Sequence, residues 1–183
     1  MLLVLAGGIQ HHLVNSHKQV LGTKTHGRKI PVSDATLGGS NLETSCYTVA
    51  VPNSYQVTHT AGCSSVMSAA KATDAAISLF STPSSSTFTM KDAPIQIREQ
   101  LKLLGSVTEF KTAPTEVNGI KALKVLYQLG QGNEQALVFV PNLPAKYVTN
   151  DDAAGAFMIR GTYGTPSQQS SFDSLVQSLK WTR

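Results

Sequence analysis

The sequence is poor in charge, in cysteine and in long apolar runs, and each shortage excludes a class of protein. Only 14% of its 183 residues are charged and 41% are hydrophobic, a composition that belongs to a folded domain and excludes a wholly disordered chain. No apolar run reaches the roughly 18 residues that cross a bilayer, which excludes a polytopic membrane protein. The two cysteines, Cys46 and Cys63, are not the closely paired ligands of a structural zinc site.

Acidic residues are missing from the first 33 positions, which carry four basic residues. The remaining positions carry 11 basic and 11 acidic residues, so the net charge of +4 belongs to the N-terminal segment. A neutral body lacks the basic face of a nucleic-acid-binding domain, and we expect no nucleic-acid partner. Residues 22–43 are interrupted by glycine and proline and are interpreted as a solvated basic linker. Contact of this linker with an anionic surface is the alternative.

The start of the chain is apolar but has no basic residue before the apolar stretch. A complete signal peptide has a charged start, an apolar stretch and a small-residue cleavage site. We therefore interpret residues 1–21 as the remnant of a signal or membrane anchor. An ordinary helix is the alternative, since its apolar stripe would contain Leu2, Leu5, Ile9, Leu13 and Val20.

The two cysteines are interpreted as a disulfide. Each flanks a short segment with strand character, residues 46–51 and residues 63–67, and neighbouring strands bring Cα atoms within disulfide range. A disulfide and a body rich in serine and threonine are typical of an exported protein, either membrane-anchored or secreted. Two free structural thiols are the alternative.

Alternating apolar residues from Cys46 onward predict mostly short strands joined by hairpin-sized connections. Two helices interrupt them, one containing Ile97, Leu101 and Leu104, and a later one that follows Pro166 and contains Phe172 and Leu175. We expect a domain boundary near Glu43 and a single α+β domain over residues 44–183. Its fold would be an antiparallel sheet covered by helices.

Three segments resemble the PsbP-like family, the extrinsic proteins of the oxygen-evolving complex and their bacterial lipoprotein relatives. They are the opening Tyr47-Thr-Val-Ala-Val-Pro-Asn-Ser-Tyr55, the paired strands around a glycine-rich turn at residues 130–133, and the ending with residues 157–163, Phe172 and Ser178-Leu-Lys-Trp181. The resemblance covers residues 44–183. It implies an α/β/α sandwich and a secreted, non-enzymatic accessory role, and it carries over no binding residue.

No residue pattern predicts a catalytic, metal or cofactor site. The spacing of His12 and His17 differs from that of a two-histidine metal face, and His59 stands alone in a strand. Asp151 and Asp152 are interpreted as a capped turn, and residues 130–133 as a hairpin turn. Five aromatic residues are candidates for a binding face but are expected to be core residues: Tyr47, Tyr55, Tyr127, Tyr147 and Trp181.

These observations favour an exported, membrane-tethered or secreted accessory domain that is not an enzyme and binds a protein partner at the cell envelope. Residues 1–21 would contact the membrane. One alternative is a subunit of a surface filament or adhesin, which would assemble through the N-terminal segment. A hydrolase with a site scattered across loops is the second alternative.

Overall fold

Ten strands and two helices make up the part of the chain that the computed structural model describes, which is residues 39–69, 72–83, 89–141, 143 and 154–182. The strands are β1 (Asn41–Glu43), β2 (Tyr47–Ala50), β3 (Tyr55–Ala61), β4 (Ser64–Ala69), β5 (Ala72–Pro83), β6 (Val107–Val117), β7 (Ile120–Leu129), β8 (Gln135–Val140), β9 (Ala154–Thr162) and β10 (Lys180–Trp181). The helices are α1 (Ala93–Lys102) and α2 (Pro166–Ser178). The predictions for residues 1–38, for Tyr147 and for Asp151 and Asp152 lie outside the described residues.

Seven strands form one antiparallel sheet in the order β3-β4-β5-β9-β8-β7-β6. The β6–β7 hairpin turns on Asn118 and Gly119, both with positive φ, a conformation that suits the right-handed twist of a two-residue hairpin. The β7–β8 connection contains the predicted turn at residues 130–133, where Gly130 also has positive φ. The mixed α+β class with mainly antiparallel pairing is therefore confirmed.

A second sheet has three short strands in the order β1-β2-β10, so both outer strands pair with β2. The indole of Trp181 on β10 donates a hydrogen bond to the Val117 carbonyl oxygen at 3.2 Å. Its ring also lies edge-on to Phe157 of β9, with 5.1 Å between centroids. These contacts hold the small sheet against the large one.

Two apolar clusters bury opposite faces of the large sheet, because alternate side chains of a strand point to opposite sides. On β9, Phe157 and Ile159 belong to the cluster that contains α2 and the small sheet. Ala156 and Met158 belong to the cluster that contains α1.

Both helices begin at residues that favour the start of a helix and that can be recognised in the sequence. Helix α2 starts with a capping box in which Thr165 and Gln168 satisfy each other's backbone N–H groups, and Pro166 occupies its first turn. Helix α1 has Pro94 in its first turn and ends before Gly105. Within the described residues, neither helix is long and apolar enough to cross a membrane.

Candidate functional site

The predicted disulfide joins Cys46, just before β2, to Cys63, in the turn between β3 and β4. Their Cα atoms are 5.3 Å apart, and both side chains are buried. The Ser45 hydroxyl lies 3.8 Å from each sulfur. A bond so enclosed ties the small sheet to the large one and is suited to a structural role.

The other sequence candidates are scattered over the fold. His59 lies exposed on β3, an edge strand of the large sheet. Among the described residues, no group of three or more histidine, cysteine, aspartate or glutamate side chains is arranged to hold a metal ion. Four of the five aromatic candidates are buried, as core residues are expected to be: Tyr47, Tyr55, Tyr127 and Trp181.

A small cleft between α1 and the large sheet joins polar groups to an apolar wall, which makes it the candidate binding site. Its free volume is about 30 Å³, enough for about two water-sized groups. Gln100 of α1 and Arg160 of β9 provide the polar groups. The apolar wall consists of Phe80, Ile97, Leu101, Leu104, Leu137 and Met158.

Arg160 reaches the cleft because it lies two residues after Met158 on β9 and so points to the same, α1 side of the sheet. Its guanidinium lies 5.9 Å from the centroid of the Tyr127 ring. Burial raises the pKa of Tyr127, and Arg160 beside it partly opposes that rise. Among the described residues, no carboxylate lies within ion-pair distance of Arg160.

Gln100 adds a buried acceptor to the same cleft. Its Oε1 atom accepts no hydrogen bond from the described residues. A buried polar atom without a partner costs about 1–3 kcal/mol, so this atom needs an explanation. The lining of the cleft therefore includes one arginine and one glutamine among mainly apolar residues.

One of the exposed apolar side chains also lines the cleft. Three large hydrophobic residues are exposed in the described part of the chain: Ile95 at 67%, Leu103 at 63% and Leu104 at 39%. All three belong to α1 or to the two residues that follow it. Leu104 also lines the cleft, so exposed and enclosed apolar surfaces meet there.

A second polar cluster joins β7 to α2 on the opposite face of the sheet. Lys124 Nζ lies 2.7 Å from Asp173 Oδ1 and 2.8 Å from the Tyr163 hydroxyl, which donates to Asp173 Oδ2 at 2.7 Å. Burial alone would lower the pKa of Lys124, but the hydrogen bonds that its ammonium donates to Asp173 and Tyr163 raise it. Burial raises the pKa of Tyr163. Both groups hold their protons, so the cluster is suited to fastening α2 and not to accepting protons.

Comparisons with known proteins add little to this geometry. No protein-family model matches the chain. No curated protein sequence matches it either. Among solved structures, the chain is similar to a crystal structure from Bacteroides thetaiotaomicron VPI-5482, with 12% sequence identity and a TM-score of 0.37. The match covers 80% of this chain and 50% of that one, so this chain spans half its length. A likeness at this level carries no argument about fold or function, and the PsbP-like resemblance stays a prediction.

Sequence reasoning missed both polar groups of the cleft. Arg160 carried one available signal, because it is a lone charge in the otherwise apolar segment Phe157-Met-Ile-Arg160. A charge in a buried strand is rare unless it is paired or functional. Gln100 carried no signal, since a glutamine on a helix is ordinary.

Proposed function

We propose that this protein is an extracytoplasmic, non-enzymatic accessory domain that binds a protein partner through the C-terminal end of α1. The observation that carries the proposal is the exposure of Leu103 and Leu104 at the cleft end of α1, two of the three large apolar side chains that are exposed in the described part of the chain. Exposed apolar side chains gathered in one place mark interaction sites. The disulfide supports the extracytoplasmic location, because such bonds persist in oxidising surroundings.

The PsbP-like fold and the tether are part of the same proposal. Helices against both faces of an antiparallel sheet support an α/β/α sandwich of that family. Residues 1–21 would anchor the domain, and the linker after them would hold it away from the membrane surface up to residue 40, because residues 41–43 form β1 of the folded domain. A filament or adhesin subunit remains the alternative, in which the partner is a second copy of the chain.

Site-specific photo-crosslinking of the full chain in its own host tests the binding surface. A crosslinker at position 103 should give a discrete adduct with another protein, and Leu104→Ser should weaken that adduct. The same crosslinker at Thr60, exposed on the opposite edge strand β3, is the matched control.

Three results would overturn parts of the proposal. Equal adducts from both positions, or none from either, would show that the partner does not bind at the C-terminal end of α1. An adduct with a second copy of the chain would favour the filament alternative. Two free thiols in the intact mass of the protein from its host would remove the extracytoplasmic assignment.

A further inference from the structure

We infer that Asn118, at the tip of the β6–β7 hairpin, is a site of spontaneous deamidation, and that its conversion loosens the attachment of the small sheet. The inference goes beyond the proposed function and does not depend on it. It follows from three properties of this turn: its sequence, an unused backbone nitrogen and the contact of its side chain with β10.

The sequence of the turn brings together the two groups that react. In deamidation, the backbone nitrogen of the following residue attacks the side-chain amide carbon of asparagine. Of the asparagines in the chain, Asn118 alone is followed by glycine. Glycine hinders the attack least, because it has no Cβ atom. A Cβ atom built on Gly119 would meet nothing within 4 Å, so the space beside this residue is open.

The Gly119 nitrogen is not used by the fold. The turn is closed by the pair Val117 and Ile120. Its two central residues have positive φ, 47° at Asn118 and 78° at Gly119, as a two-residue hairpin turn of asparagine and glycine requires. No backbone carbonyl of the described residues accepts a hydrogen bond from the Gly119 N–H. Both central residues are exposed, so water reaches the turn as well.

Conversion takes two steps and needs no reagent other than water. The Gly119 nitrogen bonds to Asn118 Cγ and gives up its proton, while the bond from Cγ to Nδ2 breaks. Ammonia leaves with that proton, and a cyclic succinimide remains. Water then opens the ring: attack at the side-chain carbonyl gives aspartate, and attack at the backbone carbonyl gives an isoaspartyl linkage.

The side chain of Asn118 also joins the hairpin to the small sheet. Its Oδ1 atom accepts a hydrogen bond from the Trp181 backbone N–H at 3.2 Å. This bond draws electrons from the side-chain carbonyl, which favours attack at its carbon. An isoaspartyl linkage lengthens the backbone, so the two-residue turn no longer fits between Val117 and Ile120, and the acceptor of Trp181 is displaced. Deamidation would thus weaken the attachment of β10 to the hairpin.

Incubation of the oxidised full chain at mildly alkaline pH tests the inference. We expect the intact mass to rise by the exchange of one NH2 for OH, and peptide mapping to place aspartate and isoaspartate at position 118. The internal control is Asn133, which is exposed in the β7–β8 turn but is followed by glutamate, and it should stay intact. In the converted fraction, separated by its added negative charge, the emission of the buried Trp181 should shift to longer wavelength.

Asn118→Gly is the matched variant, because two glycines also suit this type of turn and leave no side-chain amide to react. Its mass should not change under the same incubation. An Asn118 that persists while a free peptide of residues 116–121 converts would overturn the modification site, and so would equal conversion of Asn133. Conversion at position 118 with an unchanged Trp181 emission would overturn the loosening of the small sheet.

Discussion

Gly161 on β9 lies against the Phe172 ring of α2, where a larger residue has no room. A Cβ atom at this position would lie 2.8 Å from Phe172 Cδ2 and 3.2 Å from Ile77 Cγ1. Both neighbours are fully buried in the main core, so neither can move without displacing others. The absence of a side chain at 161 sets the distance between helix and sheet.

We expect Gly161→Ala to lower the free energy of unfolding by about 1–3 kcal/mol, because it overpacks this contact. Urea unfolding followed by fluorescence measures the change. Gly164→Ala is the control, since its Cβ would meet nothing nearer than 3.6 Å. Similar losses in both variants would contradict the overpacking explanation.

At the scale of elements, the disulfide fastens the small sheet to the β3–β4 hairpin. Cys46 and Cys63 are separated by 17 positions in sequence, so the bond closes a short loop. Closing such a loop restricts the unfolded chain, which stabilises the folded state by about 3 kcal/mol in the chain-entropy model.

We expect the double variant Cys46→Ala, Cys63→Ala to unfold with a free energy about 3 kcal/mol smaller than that of the oxidised protein. The single tryptophan, Trp181, lies on β10 and reports the small sheet directly. The unmodified chain refolded in a reductant should match the variant. A variant as stable as the oxidised protein would show that the bond does not stabilise this fold.

Periodicity predicted the long elements and also the four-residue strand β2, but it failed on the two shortest strands. Helix α2 and the β7–β8 hairpin follow from apolar spacing and a glycine-rich turn. Strands β1 and β10 have three and two residues, too few to show a period, so they form only because β2 pairs with both. Strand β6 extends to Val117 because Asn118-Gly119 makes a tight turn there, a signal that was present in the sequence.

The candidate cleft was less predictable than the fold. Gln100 and Arg160 come from elements far apart in sequence, and strand pairing together with helix docking brings them to one place. A single sequence does not show which side chains from distant elements come into contact. The cysteines, by contrast, were predictable because their chemistry limits them to few roles.

At the scale of the whole molecule, buried tyrosines make the free energy of unfolding depend on pH in the alkaline range. Burial raises the pKa of four of them in the folded chain: Tyr47, Tyr55, Tyr127 and Tyr163. The folded state therefore binds these protons more tightly than the unfolded state does. The resulting stability is fully present below the ordinary pKa of 10.0 and is lost as the pH rises through the folded-state values.

We expect the free energy of unfolding to be insensitive to these tyrosines at neutral pH and to fall steadily above about pH 10. The raised pKa of Lys124 acts in the same direction. Urea midpoints between neutral and strongly alkaline pH, measured with tyrosinate absorbance, test this. Ionisation of all tyrosines near the ordinary pKa in a chain that stays folded would contradict it.

The small sheet also determines how the molecule would carry a pulling force. Strands β1 and β10 both run antiparallel to β2, and Asn41 faces Ala50 while Trp181 faces Tyr47. Tension applied between Asn41 and Trp181 therefore pulls β1 and β10 along their axes in opposite directions. The hydrogen bonds that join them to β2 are then loaded in shear and at the same time. The load passes through three short strands and reaches the large sheet only at the β6–β7 hairpin, through the hydrogen bonds from Trp181 to Val117 and Asn118. A stretched molecule would thus yield first in the small sheet and at these two hydrogen bonds, while the cleft beside α1 kept its shape.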